Sequence, residues 1–169
     1  MSIIAGFVSR VTVAAAVAVL APRCQGSPTS AQDAAPSTTV DSTSRVYQSV
    51  MSGLTESTEL VVRDDTAWRA TWEQLTTMVL PAPARPAVDF AREAVVLVAA
   101  GERQSAGWRV TIDSVANAAG GALVVSYTIT GPGTGCMAAQ MMTSPVDVVR
   151  IPRPSGTVRF TARTVRTPC

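Results

Sequence analysis

The sequence predicts an α+β domain, mainly antiparallel β, built as one sheet or a small sandwich with a single packed helix. Three observations carry that expectation. Short apolar runs recur from residue 45 onward, alternating or continuous, with turn residues between them. Only the stretch around Trp68, Trp72 and Leu75 has helical spacing. No strand–helix–strand repeat occurs, so neighbouring strands are expected to run antiparallel.

Taken in order, Val46, Gln48 and Val50 alternate with Tyr47, Ser49 and Met51 until Ser52-Gly53 breaks the run. Glu59 to Arg63 is a second short strand. Asp64-Asp65-Thr66 then forms an N-cap cluster whose carboxylates favour the positive end of a helix. The helix carries Trp68, Trp72 and Leu75 on one face and ends before the breaker run at 81–86. Ala94 to Ala100 is continuously apolar, as expected of a central strand covered on both faces. Trp108, Val110 and Ile112 alternate with Arg109, Thr111 and Asp113. Asn117 to Gly121 is a turn, and Leu123, Val125, Tyr127 and Ile129 alternate beyond it, so 107–130 reads as a hairpin. Gly131 to Gly135 breaks the chain. Val146 to Ile151 and Thr157 to Arg163 are the last two strands.

The 169 residues hold fourteen arginines, no lysine and no histidine, against twelve acids. Without imidazole there is no Ser-His or Cys-His pair and no histidine metal ligand. Without lysine there is no Schiff base and no P-loop phosphate lysine, so GPGTG at 131–135 reads as a turn. Only carboxylates remain as metal ligands, and they lack calcium-loop spacing. Neither a metal nor a cofactor is expected, and with 47% hydrophobic and 15% charged residues nor is a nucleic-acid partner.

Val11 to Leu20 is a short apolar run after Arg10, the layout of a secretory signal peptide and too short to span a bilayer, which needs ~20 apolar residues. The expected organisation is a signal peptide at 1–24, a disordered Ser/Thr/Pro-rich linker at 25–44 and a β-rich domain at 45–169. Cys24 stands where a lipoprotein carries its lipidated cysteine, although Pro22-Arg23 departs from the usual small residues; cleavage between Gly26 and Ala35 is the other expectation. A membrane contact is expected only through that N-terminal anchor. The protein is thus expected to be extracytoplasmic: secreted, periplasmic or envelope-anchored. For an exported chain, Cys136 and Cys169 are then the natural disulfide pair. Their loop of about 34 residues corresponds to ~3–4 kcal/mol on the loop-entropy view. Removing Arg10 and Arg23 from the fourteen arginines leaves twelve, matching the twelve acids.

Charge is segregated along the chain. Residues 57–102 carry four arginines and seven acids, and residues 103–169 carry seven arginines and two acids. Arg150, Arg153, Arg159, Arg163 and Arg166 either form a basic face or pair with the acidic half. The loop 101–108 holds Arg103, Gly107 and Trp108, residues suited to a docking surface, with an inward Trp108 and a merely structural Gly107 as the other reading. Among the acids, Glu102, Asp113 and Asp147 lie in or beside the later strands, and only a convergent pair of them would serve an envelope glycosidase.

The run GERQSAGW, an alternating strand RVTIDSV, then LVVSYTITGPG and SPVDVVRIPR resembles the C-terminal domain of PrcB-like proteins, a family named from a subunit of a surface protease complex. The matching positions are Gly101, Arg103, Gly107, Trp108, Pro145, Val149 and Pro152, with Ser52-Gly53, Trp68 and Trp72 upstream. The resemblance covers about residues 45–165. It implies an exported accessory domain, often lipid-anchored, that partners or stabilises another protein and is not an enzyme. A protein partner, a protease among them, is therefore expected, and a small β-scaffold protease inhibitor is the alternative. Binding is expected at Arg103, Gly107 and Trp108, and no catalytic residue is implied.

Overall fold

The computed structural model describes residues 37–39 and 44–169. The expected leader, Cys24 and most of the 25–44 linker lie outside the described residues. Among the described residues, eight strands and one α-helix follow in the order β1 (Ser37–Thr39), β2 (Arg45–Ser49), β3 (Ser57–Val62), α1 (Asp65–Leu75), β4 (Glu93–Ala100), β5 (Arg109–Asn117), β6 (Leu123–Pro132), β7 (Val146–Pro152) and β8 (Val158–Thr167), with a 3-10 turn at Ala119–Gly121. They form two four-stranded sheets, β1-β5-β6-β8 (sheet A) and β2-β7-β4-β3 (sheet B).

Sheet B is built around β4, whose eight residues are almost wholly buried. Successive side chains of a strand point to opposite faces. Val95, Leu97 and Ala99 therefore join α1 through Trp68, Trp72 and Leu75. Ala94, Val96, Val98 and Ala100 meet Val110, Ile112, Val125 and Tyr127 of sheet A on the other side. The result is three layers, with the helix outside sheet B and sheet A on the far side. The expected sandwich with one packed helix is what the structure shows.

The helix begins where its cap requires. The Asp64 carboxylate accepts a hydrogen bond from the Ala67 amide at 2.8 Å, satisfying one of the first-turn donors. The indole N–H groups of Trp68 and Trp72 donate to the carbonyls of Pro86 and Pro83 (3.0 and 3.1 Å), so the proline-rich return covers the helix and takes up its polar edges. Arg85, from the same return, pairs with Asp65 at 2.6 Å and holds its carboxyl below the usual carboxylate range.

Two arrangements differ from the sequence expectation. Most pairs are antiparallel, but β6 and β8 run parallel over ten residues, from Leu123↔Val158 to Pro132↔Thr167. Between them the chain crosses into sheet B to form β7, and that excursion returns it in the original direction without a helix. Ser37–Thr39, inside the expected linker, pairs antiparallel with Ser114–Ala116 of β5. Composition cannot reveal such a pairing, because the bonds are main-chain groups supplied by a strand some 75 residues away.

Below β1 the edge of β5 is closed by side chains. Asp147, fully buried, accepts from the Ile112 amide at 2.7 Å and from Arg45 Nε and Nη2 at 2.8 and 3.0 Å. Arg45 Nη2 also donates to the Ile112 carbonyl at 3.0 Å. A bidentate ion pair thus takes the place of a neighbouring strand at a bulge between Ile112 and Ser114. The Asp147 bond raises the Arg45 pKa above its ordinary value, against the opposing effect of burial. Gln48 continues the seal by donating to the Val110 carbonyl at 2.8 Å.

Candidate functional site

Gly101 ends β4 with φ of +74°, and a Cβ there would stand 2.7 Å from the Ser57 amide nitrogen. The loop it opens is pinned against the segment before β7. The Arg103 and Thr143 main chains exchange hydrogen bonds of 2.7 and 2.8 Å, and the Ala106 amide donates to the Ala139 carbonyl at 2.9 Å. The loop is therefore a braced ledge, held from residues 139–143.

At its end, Trp108 lies half-buried. Its indole N–H donates to Ser105 Oγ at 3.2 Å. Its six-membered ring presses on Gly131, where a Cβ would come within 2.6 Å of the ring. Two guanidinium groups reach that ring: Arg103 at 5.1 Å from the centroid and Arg166 at 4.8 Å. Arg166 also donates to the Pro132 carbonyl at 3.2 Å. Gly107, with φ of +89°, turns the chain beside the Pro132 ring. Arg103, Gly107 and Trp108 are thus brought together, and the structure adds Arg166, placed there by the parallel β6–β8 register.

Beside this cluster lies an open cleft of about 460 Å³ between Gly107, Pro132, Met137 and the Cys136–Cys169 disulfide. The expected disulfide is present, with its Cα atoms 5.4 Å apart and a sequence separation of 33. It fastens the end of β8 to the loop after β6, and the Gly133 amide donates to the Thr167 carbonyl beside it. Disulfides of this kind form in oxidising compartments.

The segment bracing the ledge carries exposed methionines. Met137 is fully exposed, and Met141 and Met142 are about half exposed. Met142 also lines a smaller hollow of about 190 Å³ with Met51 and Met78. Methionine presents an apolar, adaptable surface and is over-used where proteins bind proteins. In the sequence these residues form the run MAAQMM at 137–142, which has neither a strand nor a helix period to mark it.

The remaining arginines do not form one face. Arg150 lies 3.9 Å from Glu93, and Arg153 donates to the Arg63 and Phe90 carbonyls, both in the acidic half. Arg159 and Arg163 stand on sheet A, where Arg163 donates to Thr128 Oγ1 and that hydroxyl donates to Asp113. Each of the two strand carboxylates singled out for glycosidase chemistry is engaged, Asp113 by Thr128 and Asp147 by Arg45 and Ile112.

The fold and this ledge define a small two-sheet β domain with one covering helix and a built, arginine-flanked indole at one end. Residues 94–152, from β4 through β7 and including the ledge, match the family model described as PrcB C-terminal, so this segment is similar to that family. That match is consistent with an accessory domain. No curated protein and no solved structure matches the chain.

Proposed function

We propose that the chain is an exported, non-catalytic accessory domain that binds a protein partner through the ledge at Arg103, Gly107 and Trp108, in the setting of a surface protease complex. The observation that carries this reading is the convergence of two guanidinium groups on one half-exposed indole, at the lip of an open cleft that the exposed Met137 lines. Tryptophan and arginine dominate binding hot spots because each supplies a large, stiff contact surface with a polar or charged edge. The family match and the disulfide support an accessory role outside the cytoplasm.

Photo-crosslinking in the native envelope tests it. A photo-reactive residue at Gln104, on the exposed ledge, is expected to trap a defined partner, whereas one at Glu73, on the exposed side of α1, is not. Arg103→Ala is expected to reduce the Gln104 product. Equal trapping from both positions, or from neither, overturns the reading. Dose-dependent inhibition of a trapped protease would turn it into the inhibitor alternative.

A further inference from the structure

Strand β8 is bonded along one edge. The Thr157 carbonyl accepts from the Leu123 amide and the Thr167 carbonyl accepts from the Gly133 amide, each at 2.9 Å. Main-chain groups of successive strand residues turn to opposite edges, so the odd-numbered residues of β8 face β6. The amides and carbonyls of Val158, Phe160, Ala162, Thr164 and Arg166 then face outward, where no described strand lies. This edge is ten residues long, free of proline, free of register shifts and exposed throughout its second half.

Such an edge is a template for another strand unless something guards it. Here the guard is charge, because Arg159, Arg163 and Arg166 are all exposed. Two copies of β8 side by side would set arginines against arginines, which opposes self-pairing. An acidic segment meets the opposite sign. We propose that the outer edge of β8 takes an extended acidic segment of a partner protein as an added fifth strand of sheet A. Main-chain bonds would supply the affinity, and the arginines would select for carboxylate-bearing sequences. This rests on the docking reading above and gives its partner a chemistry: Arg166, over the Trp108 ring, stands at the end of the same edge.

The test uses a labelled peptide matching β8 in length, alternating Glu and Thr, with a Lys/Thr analogue and a Glu/Thr peptide N-methylated at alternate residues. Binding is read by anisotropy and its location by amide hydrogen exchange. The Glu/Thr peptide is expected to bind and slow exchange at Val158, Phe160, Ala162, Thr164 and Arg166. The Lys and N-methylated peptides are expected to bind about tenfold more weakly or worse. Thr164→Pro removes an outward amide while leaving the bonds to β6, and is expected to lose about as much. Arg159→Glu with Arg163→Glu is expected to do the same. Absence of Glu/Thr binding, equal affinity for the Lys peptide, or protection at another edge overturns the proposal. Unimpaired binding by folded Thr164→Pro also overturns it, and if that variant fails to fold, the N-methylated peptide decides alone. Crosslinks from Gln104 without peptide binding at β8 sink strand addition only, whereas peptide binding without those crosslinks sinks the ledge as docking site.

Discussion

The two sheets are made of similar residues and live in different surroundings. Sheet B is covered on both faces, by α1 and by sheet A, and its central strand β4 reads as an unbroken apolar run. Sheet A is covered on one face, and its last strand carries Arg159, Arg163 and Arg166 into solvent. The central strands of sheet B, β4 and β7, can only store stability, because nearly all their side chains are buried. A sheet with one face and one edge free can spend residues on contacts outside the molecule. The ledge and the β8 edge both belong to sheet A or border it, and along β8 only Val158 and Phe160 pack against the core beneath β4.

The contrast can be broken most decisively at the seal between the sheets. Asp147→Ala leaves Arg45 and the Ile112 amide without their buried partner and is expected to cost about 3–5 kcal/mol in urea unfolding. A cost near that of an exposed substitution would mean the sandwich is not closed by this pair. Next in size, Cys136→Ser is expected to cost roughly 3–4 kcal/mol. Hydrogen exchange should show the loss concentrated in β8 and the loop after β6, with β4 protected; faster exchange throughout β4 would erase the division between the sheets.

A smaller effect is expected on the helix side. Asp64→Ala removes the cap and is expected to cost about 1 kcal/mol, read as a lower midpoint with an unchanged denaturant slope. The last test uses pH. The Tyr127 hydroxyl, chiefly through burial and then through its 2.7 Å bond to Glu59, has its pKa pushed up to about 12. Because the folded value lies above the ordinary value near 10, the stabilisation is complete below pH ~10 and is lost as pH rises through ~12. In a Tyr47→Phe background, tyrosinate absorbance is expected to appear near pH 12 while the chain stays folded. Its appearance near 10 would mean that this bridge between sheet A and β3 is open to water.

What the sequence could show was what neighbours along the chain decide. Trp68, Trp72 and Leu75 declare a helix by spacing, and Asp64 declares its start because the bond it makes is three residues away. The burial of β4 is written in its own composition. The disulfide was reachable by elimination, since exporting the chain leaves two cysteines to pair. The parallel β6–β8 register was not reachable, because nothing local distinguishes a strand arriving from the other sheet from one arriving through a hairpin. The same register brings Arg166 to Trp108 across a separation of 58 residues, so the sequence marked Arg103, Gly107 and Trp108 but assigned Arg166 to a general basic face. Arg45 and Asp147 are 102 residues apart and showed no pattern at all.

That last separation bears on how the chain is made. Each sheet takes strands from both ends of the sequence: β2 reaches β4 only through β7, and β8 is added last beside β6. In sheet B the late strand lies between two early ones, so no N-terminal fragment stopping short of residue 152 contains a complete sheet. Long-range pairings of this kind fold slowly, because loop closure is paid before contact is gained. Under the export proposed above, which threads the chain through a narrow pore, the delay is useful. The emerging chain holds no finished unit that could jam the passage, and it becomes a protein only when nearly all of it has arrived.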